Sequence, residues 1–145
     1  MISYIHQNYE RSIITKSSTS SFCYNWGKRS PINIIQFNQV NGTTINKIEG
    51  QTRFGYAISD YVEFYEFHKS HKGSMISFYD YENGKVIQPF KCQKNVLYGK
   101  PVFLNNYFYF LQEDYNKGIM TLYKYLPDKL LETVTELNIK KIKHI

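Results

Sequence analysis

The stretch that most restricts what this chain can become is residues 96–137, VLYGKPVFLNNYFYFLQEDYNKGIMTLYKYLPDKLLETVTEL. It reads as four short strands cut by three turn signals. Asn105-Asn106 separates an apolar run at 101–104 from an aromatic run at 107–111. Asn116-Lys117-Gly118 then precedes 119–126, and Pro127-Asp128 closes that run before 130–137. Branched and aromatic residues punctuated by Asn, Gly, Pro and Asp are the sequence form of an antiparallel meander, because those four residues accept the backbone angles of tight turns. Leu130, Leu131, Val134, Leu137 and Lys141 stand at helical spacing, but the run Thr133-Val134-Thr135 favours a strand.

Composition supports an all-β fold. With 145 residues the chain is long enough to bury a core as one domain, 1–145, without disulfides or metals. Its 14 tyrosines and 10 phenylalanines are the unusual feature, and tyrosine suits half-buried sheet faces. No run approaches the roughly 18 apolar residues of a membrane helix, and the first residues lack a leader-like apolar segment. Cys23 and Cys92 show no metal spacing and read as reduced thiols, so a cytoplasmic, non-membrane location is expected. The net charge of +6 is compatible with an anionic partner. Only the tail, residues 139–145 with Lys140, Lys141, Lys143 and His144, is densely basic, and it reads as a solvated end.

The turn signals recur. Tyr98-Gly99 follows Phe54-Gly55 by 44 residues, and Lys117-Gly118 follows Lys72-Gly73 by 45. Asn41-Gly42, Asn83-Gly84 and Pro127-Asp128 fall at equivalent places. These matches divide the chain into three units, about 7–50, 51–95 and 96–138. In the second unit, 62–67 (VEFYEF) and 74–81 (SMISFYDY) are expected strands. In the first, the expected strands are 11–16, 22–26, 32–40 and 43–49.

Three four-stranded meander units of about 44 residues resemble the blades of a β-propeller. The resemblance is one of layout, since the Gly-His and Trp-Asp marks of WD blades and the double glycine of kelch blades are absent, and Trp26 is the single tryptophan. Propellers close with four to eight blades. Three units therefore imply a two-fold dimer that completes a ring, with a single β-barrel, a sandwich, or a piece of a larger assembly as the alternatives.

In a propeller, ligands meet the loops between second and third strands. The resemblance carries this role to the loops at 27–31, 67–73 and 112–118. It points to Lys28, Arg29, His68, His71, Lys72, Asp114, Tyr115 and Lys117 as a candidate binding cluster, against the plainer reading that connecting loops are polar because they are wet. His68 and His71 lack the further ligands a metal needs. Glu113 and Asp114 have no opposing carboxylate on the strands that would carry one. No nucleophile elbow or phosphate-cradling glycine loop is present, so neither a cofactor nor catalysis is expected. The alternating rings Tyr65, Phe67, Tyr107, Tyr109, Tyr123 and Tyr125 read as packing rather than base-stacking.

The chain therefore reads as a non-enzymatic binding or protein-interaction module that self-associates as a homodimer or binds another protein. A nucleic-acid or polyanion binder is the alternative, motivated by charge and aromatic content, and a small hydrolase comes third.

Overall fold

The structure is a computed structural model and describes residues 2–6, 12–16, 33–37, 44–67 and 69–142. Twelve strands are found among them: β1 (Ile2–His6), β2 (Ser12–Lys16), β3 (Asn33–Phe37), β4 (Asn46–Lys47), β5 (Phe54–Ser59), β6 (Met75–Asp80), β7 (Lys85–Ile87), β8 (Val96–Tyr98), β9 (Val102–Leu104), β10 (Tyr107–Asp114), β11 (Ile119–Leu126) and β12 (Leu130–Asn138). A single helical turn, α1 (Ile139–Ile142), follows. Every pairing is antiparallel, and the fold is all-β.

The strands form three sheets, ordered β2-β1-β3, β4-β5-β6-β7, and β8-β10-β11-β12 with β9 also on β10. β8 and β9 lie end to end along one edge of β10, because β11 occupies its other edge. The register slips by one residue between them, where Gly99 still bonds Leu111 but Pro101 has no N–H to offer. The last two sheets are thus meanders. The first is not, since β1 lies between β2 and β3.

Alternation along β5 and β6 covers both faces of the middle sheet. Tyr56, Ile58, Ile76 and Phe78 point to one side, where they meet Val96, Tyr98, Phe108, Phe110 and Tyr125 of the C-terminal sheet. Ala57 and Tyr79 point to the other, where they meet Phe37 of β3 and Ile45. Phe78 is the hub of the larger core, with ring centroids 5.4 Å from Phe108, 6.0 Å from Phe110 and 4.9 Å from Tyr125. Each such tilted pair adds about 0.5–1.5 kcal/mol beyond the area it buries.

Several expectations change. Residues 62–67 are not a strand. Phe64–Glu66 is a 3-10 turn, in which Glu66 donates its N–H to Glu63 O (2.9 Å) while its carboxylate accepts the Glu63 N–H (3.1 Å). A short local capping arrangement here wins over the strand pattern of alternating aromatics. The second sheet therefore takes its first strand from 43–49, as β4 pairs forward with β5 across the boundary drawn at 50/51. Strand β1 was not anticipated, and the strand expected at 22–26 lies outside the described residues, as does Cys23. No sheet closes on itself among the described residues, so neither a complete propeller ring nor a barrel is formed. The strand reading of 130–137 holds as β12, with helix confined to the four residues after it.

Candidate functional site

Two hairpins carry the same turn. Asp80-Tyr81-Glu82-Asn83-Gly84 joins β6 to β7, and Asp114-Tyr115-Asn116-Lys117-Gly118 joins β10 to β11. In each, the glycine takes a positive φ (63° and 69°) and donates its N–H to the aspartate carbonyl (2.9 and 2.8 Å). In each, the aspartate Oδ1 accepts the N–H two residues on, both at 3.0 Å. Asp114 Oδ1 also takes the Lys117 N–H at 3.1 Å. The carboxylates thus satisfy turn N–H groups that would otherwise face solvent alone.

Asp80 has a second task. Buried at 3% exposure, it receives a two-pronged contact from Arg53 (Nε to Oδ1 3.2 Å, Nη2 to Oδ2 3.1 Å) and the Asn83 amide at 2.9 Å. Burial alone would raise its pKa, but these donors outweigh burial and hold it below the ordinary carboxylate range.

The candidate cluster splits in three. Lys28, Arg29 and His68 lie outside the described residues. His71 and Tyr115 come together through Asn95, while Asp114 pairs with the neighbouring Val96 and bonds its own turn. The His71 N–H donates to Asn95 Oδ1 (2.8 Å), and the Asn95 N–H returns to His71 O (2.9 Å). Asn95 O accepts the Tyr115 N–H at 2.9 Å, and its amide donates to Asn116 Oδ1 at 3.1 Å. The His71 ring accepts the Gly73 N–H at Nδ1 (2.9 Å), leaving Nε2 to carry the proton of the neutral ring. Lys72 and Lys117 are exposed, and Lys72 Nζ sits 2.9 Å from Asp60. The 67–73 segment and the 112–118 turn touch through the Phe67 and Tyr115 rings, while His71, Tyr115 and Asn116 bond Asn95 between them and Lys72 reaches Asp60.

Tyr115 closes this cluster from the side. Its ring stacks on Phe67 with centroids 3.6 Å apart and planes 7° from parallel. Its hydroxyl shares one proton between the buried Glu113 carboxylate and the Phe64 carbonyl (3.2 Å). Burial first, and the Glu113 hydrogen bond second, push the phenol well above its usual pKa. Asn95 and Phe64 were not anticipated as members of this group, whereas Phe67 and Glu113 stood within the two expected loops. The one available signal was Asn95 itself, an asparagine directly before a strand, where φ of 64° is tolerated.

The exposed surface lies elsewhere, on the C-terminal sheet. Val102, Leu104, Leu131, Val134 and Leu137 are between 42% and 59% exposed. The register places Tyr109, Leu111, Leu122, Met120 and Leu137 on the sheet face turned away from the core, with Lys124 and Glu132 paired among them. Lys124 lies across the Tyr107 ring, its Nζ 4.0 Å from the centroid. β12 from Leu131 to Asn138 is exposed at every residue, and among the described residues it pairs only with β11. A long edge strand with this much open aliphatic surface is what natural sheets usually cover or charge.

No helix among the described residues is long and apolar enough to cross a membrane. Cys92 is an exposed free thiol. No known protein family, curated protein or solved structure matches the chain.

Proposed function

We propose that this chain is a non-enzymatic protein-interaction module that docks a partner on its C-terminal sheet. The observation that carries the reading is the exposure of Leu131, Val134 and Leu137 on β12 together with Val102 and Leu104 on β9. Covering apolar surface gives about 25 cal/mol per Å² before association costs, so exposed aliphatic residues at both edges of one sheet are a source of affinity. The loop cluster around Asn95 supports the same direction, because its polar groups serve to hold two loops together rather than to meet a ligand. In this reading the three successive sheets act as blade-like units, and self-association is the expected form of partnership.

The test is a photo-crosslinking side chain placed at Val134, with the exposed Thr52 as the control position. The expected result is one discrete adduct from position 134, absent from position 52 and lost when Leu131 and Leu137 are changed to Lys. No adduct, or equal labelling from both positions, would overturn the proposal.

A further inference from the structure

We infer that Asn83-Gly84 is a modification site gated by folding, held against deamidation in the closed β6–β7 turn and converted to aspartate or isoaspartate when that turn opens. The dipeptide occurs twice in the sequence, at 41–42 and 83–84, and the first lies outside the described residues. The inference is independent of the docking reading of the C-terminal sheet.

The reaction needs no enzyme. The Gly84 backbone nitrogen, on losing its proton, attacks Asn83 Cγ. That C–N bond forms as the Cγ–Nδ2 bond breaks, and the amide nitrogen takes up a proton and leaves as ammonia. Water then opens the cyclic imide at either carbonyl, and nothing is oxidised or reduced. A following glycine favours the attack because it has no Cβ to obstruct it.

In the fold, both nitrogens that must react are bonded to one residue. Asp80 O accepts the Gly84 N–H at 2.9 Å, and Asp80 Oδ2 accepts the Asn83 amide, also at 2.9 Å. Asp80 is itself buried, and Arg53 grips both of its carboxylate oxygens. The Gly84 N–H is thus kept from giving up its proton, and the Asn83 amide is kept from turning freely. Asn83 is exposed to water all the same, so what the reaction lacks is an open turn. The β10–β11 turn shows that this backbone frame does not require asparagine here. Gly118 bonds Asp114 O at 2.8 Å with Lys117 in the place of Asn83.

Conversion disables the turn. Aspartate at 83 sets a second carboxylate where the amide donated to Asp80, and two like charges at that distance oppose each other. Arg53 is already shared between Asp80 and Glu82, the latter at 3.3 Å. Lys85, the next cation along the chain, is held 3.0 Å from Asp128. Isoaspartate adds a carbon to the backbone and so alters the spacing that lets Gly84 reach Asp80 O. The damage falls at the end of β6, the strand that carries the Phe78 hub of the core.

Incubating the full chain at neutral pH, folded and in guanidinium chloride, with peptide mapping by mass spectrometry, tests this. In denaturant, Asn41 and Asn83 are expected to convert at similar rates. In native buffer, conversion at Asn83 is expected to be about tenfold slower or more, as for a reaction that waits for local opening. Asn83→Asp is expected to lower the urea midpoint at neutral pH. Its gap from the parent is expected to narrow on acidification, as the carboxyl raised by Asp80 takes up a proton.

Equal rates in the two conditions would overturn the gating, and a faster native rate would overturn it too, with Asp80 then promoting the reaction. No conversion at Asn83 in denaturant would overturn the site. An Asn83→Asp protein as stable as the parent at neutral pH, or equally weakened in acid, would overturn the charge conflict that disables the turn.

Discussion

His71 and Asn95 exchange a closed pair of hydrogen bonds, one from the His71 N–H to Asn95 Oδ1 at 2.8 Å and one from the Asn95 N–H to His71 O at 2.9 Å. Through this pair the segment between β5 and β6 is tied to the start of β8, and through the Asn95 carbonyl to Tyr115 in the β10–β11 turn. The side chain that makes this connection belongs to Asn95, whose left-handed backbone an alanine adopts only with strain.

Replacing Asn95 should therefore separate two contributions. Asn95→Ala removes the Oδ1 acceptor and the amide donor and adds backbone strain, with an expected loss of about 2–4 kcal/mol. Asn95→Gly keeps the backbone angle and should lose about 1–2 kcal/mol. His71→Ala leaves the backbone bonds in place and should cost about 1 kcal/mol. Urea denaturation midpoints order the three variants, and an Asn95→Ala protein as stable as the parent would refute the hub role.

Two glycines with positive φ should respond differently to alanine. A Cβ on Gly73 (φ 101°) would fall 2.1 Å from Gln93 O and 2.7 Å from its carbonyl carbon, so backbone must move. A Cβ on Gly118 (φ 69°) meets nothing within 4 Å. Gly118→Ala should cost about 1 kcal/mol for its backbone angle alone. Gly73→Ala should cost several-fold more, as a lower melting midpoint or a loss of soluble protein. Equal effects would contradict the close approach at Gln93.

The Asp80–Arg53 pair gives the acid limb of stability a definite sign. Burial raises the Asp80 pKa and its donors lower it further than burial raises it, so the folded value lies below the unfolded one. Its contribution is thus complete above the unfolded carboxylate pKa, about 4, and is lost as pH falls through the folded value. Asp80→Asn cannot carry this dependence. The variant should be less stable at neutral pH and should show a flatter fall in stability on acidification, measured by denaturation between neutral and strongly acidic pH.

At the alkaline end the sign reverses. Tyr98 is buried, and burial pushes its phenol up to about 12 despite the Gln112 amide at its oxygen. Tyr125 is shifted upward as well, again mainly by burial. A raised folded pKa contributes stability in full below the unfolded value near 10, and this is lost as pH rises through the folded value. Tyrosinate absorbance should show exposed tyrosines titrating first, with a later step coinciding with loss of the fold. Tyr98→Phe should move that step to higher pH, and an unchanged step would assign it to another ring.

The sequence by itself determined the local conformations. Asn105-Asn106, Asn83-Gly84, Lys117-Gly118 and Pro127-Asp128 were legible as turns, and φ is positive at Asn105, Asn106, Gly84, Gly118 and Asp128. The strands on either side followed from period-two alternation, a preference that acts between immediate neighbours. Tertiary structure decided the rest. Residues 62–67 alternate like a strand, yet Glu63 and Glu66 close a 3-10 turn there, and Tyr115 packs against it from far along the chain. β4 could have closed the first sheet but opens the second, because strand pairing depends on which edge is free and not on the strand's own residues. Asn95 became a hub only when the 67–73 loop and the β10–β11 turn met around it. Leu131 and Leu137 of β12 look like core residues in sequence, and only the placement of the three sheets leaves them open to solvent, since whether an apolar residue is buried depends on what the fold brings over it.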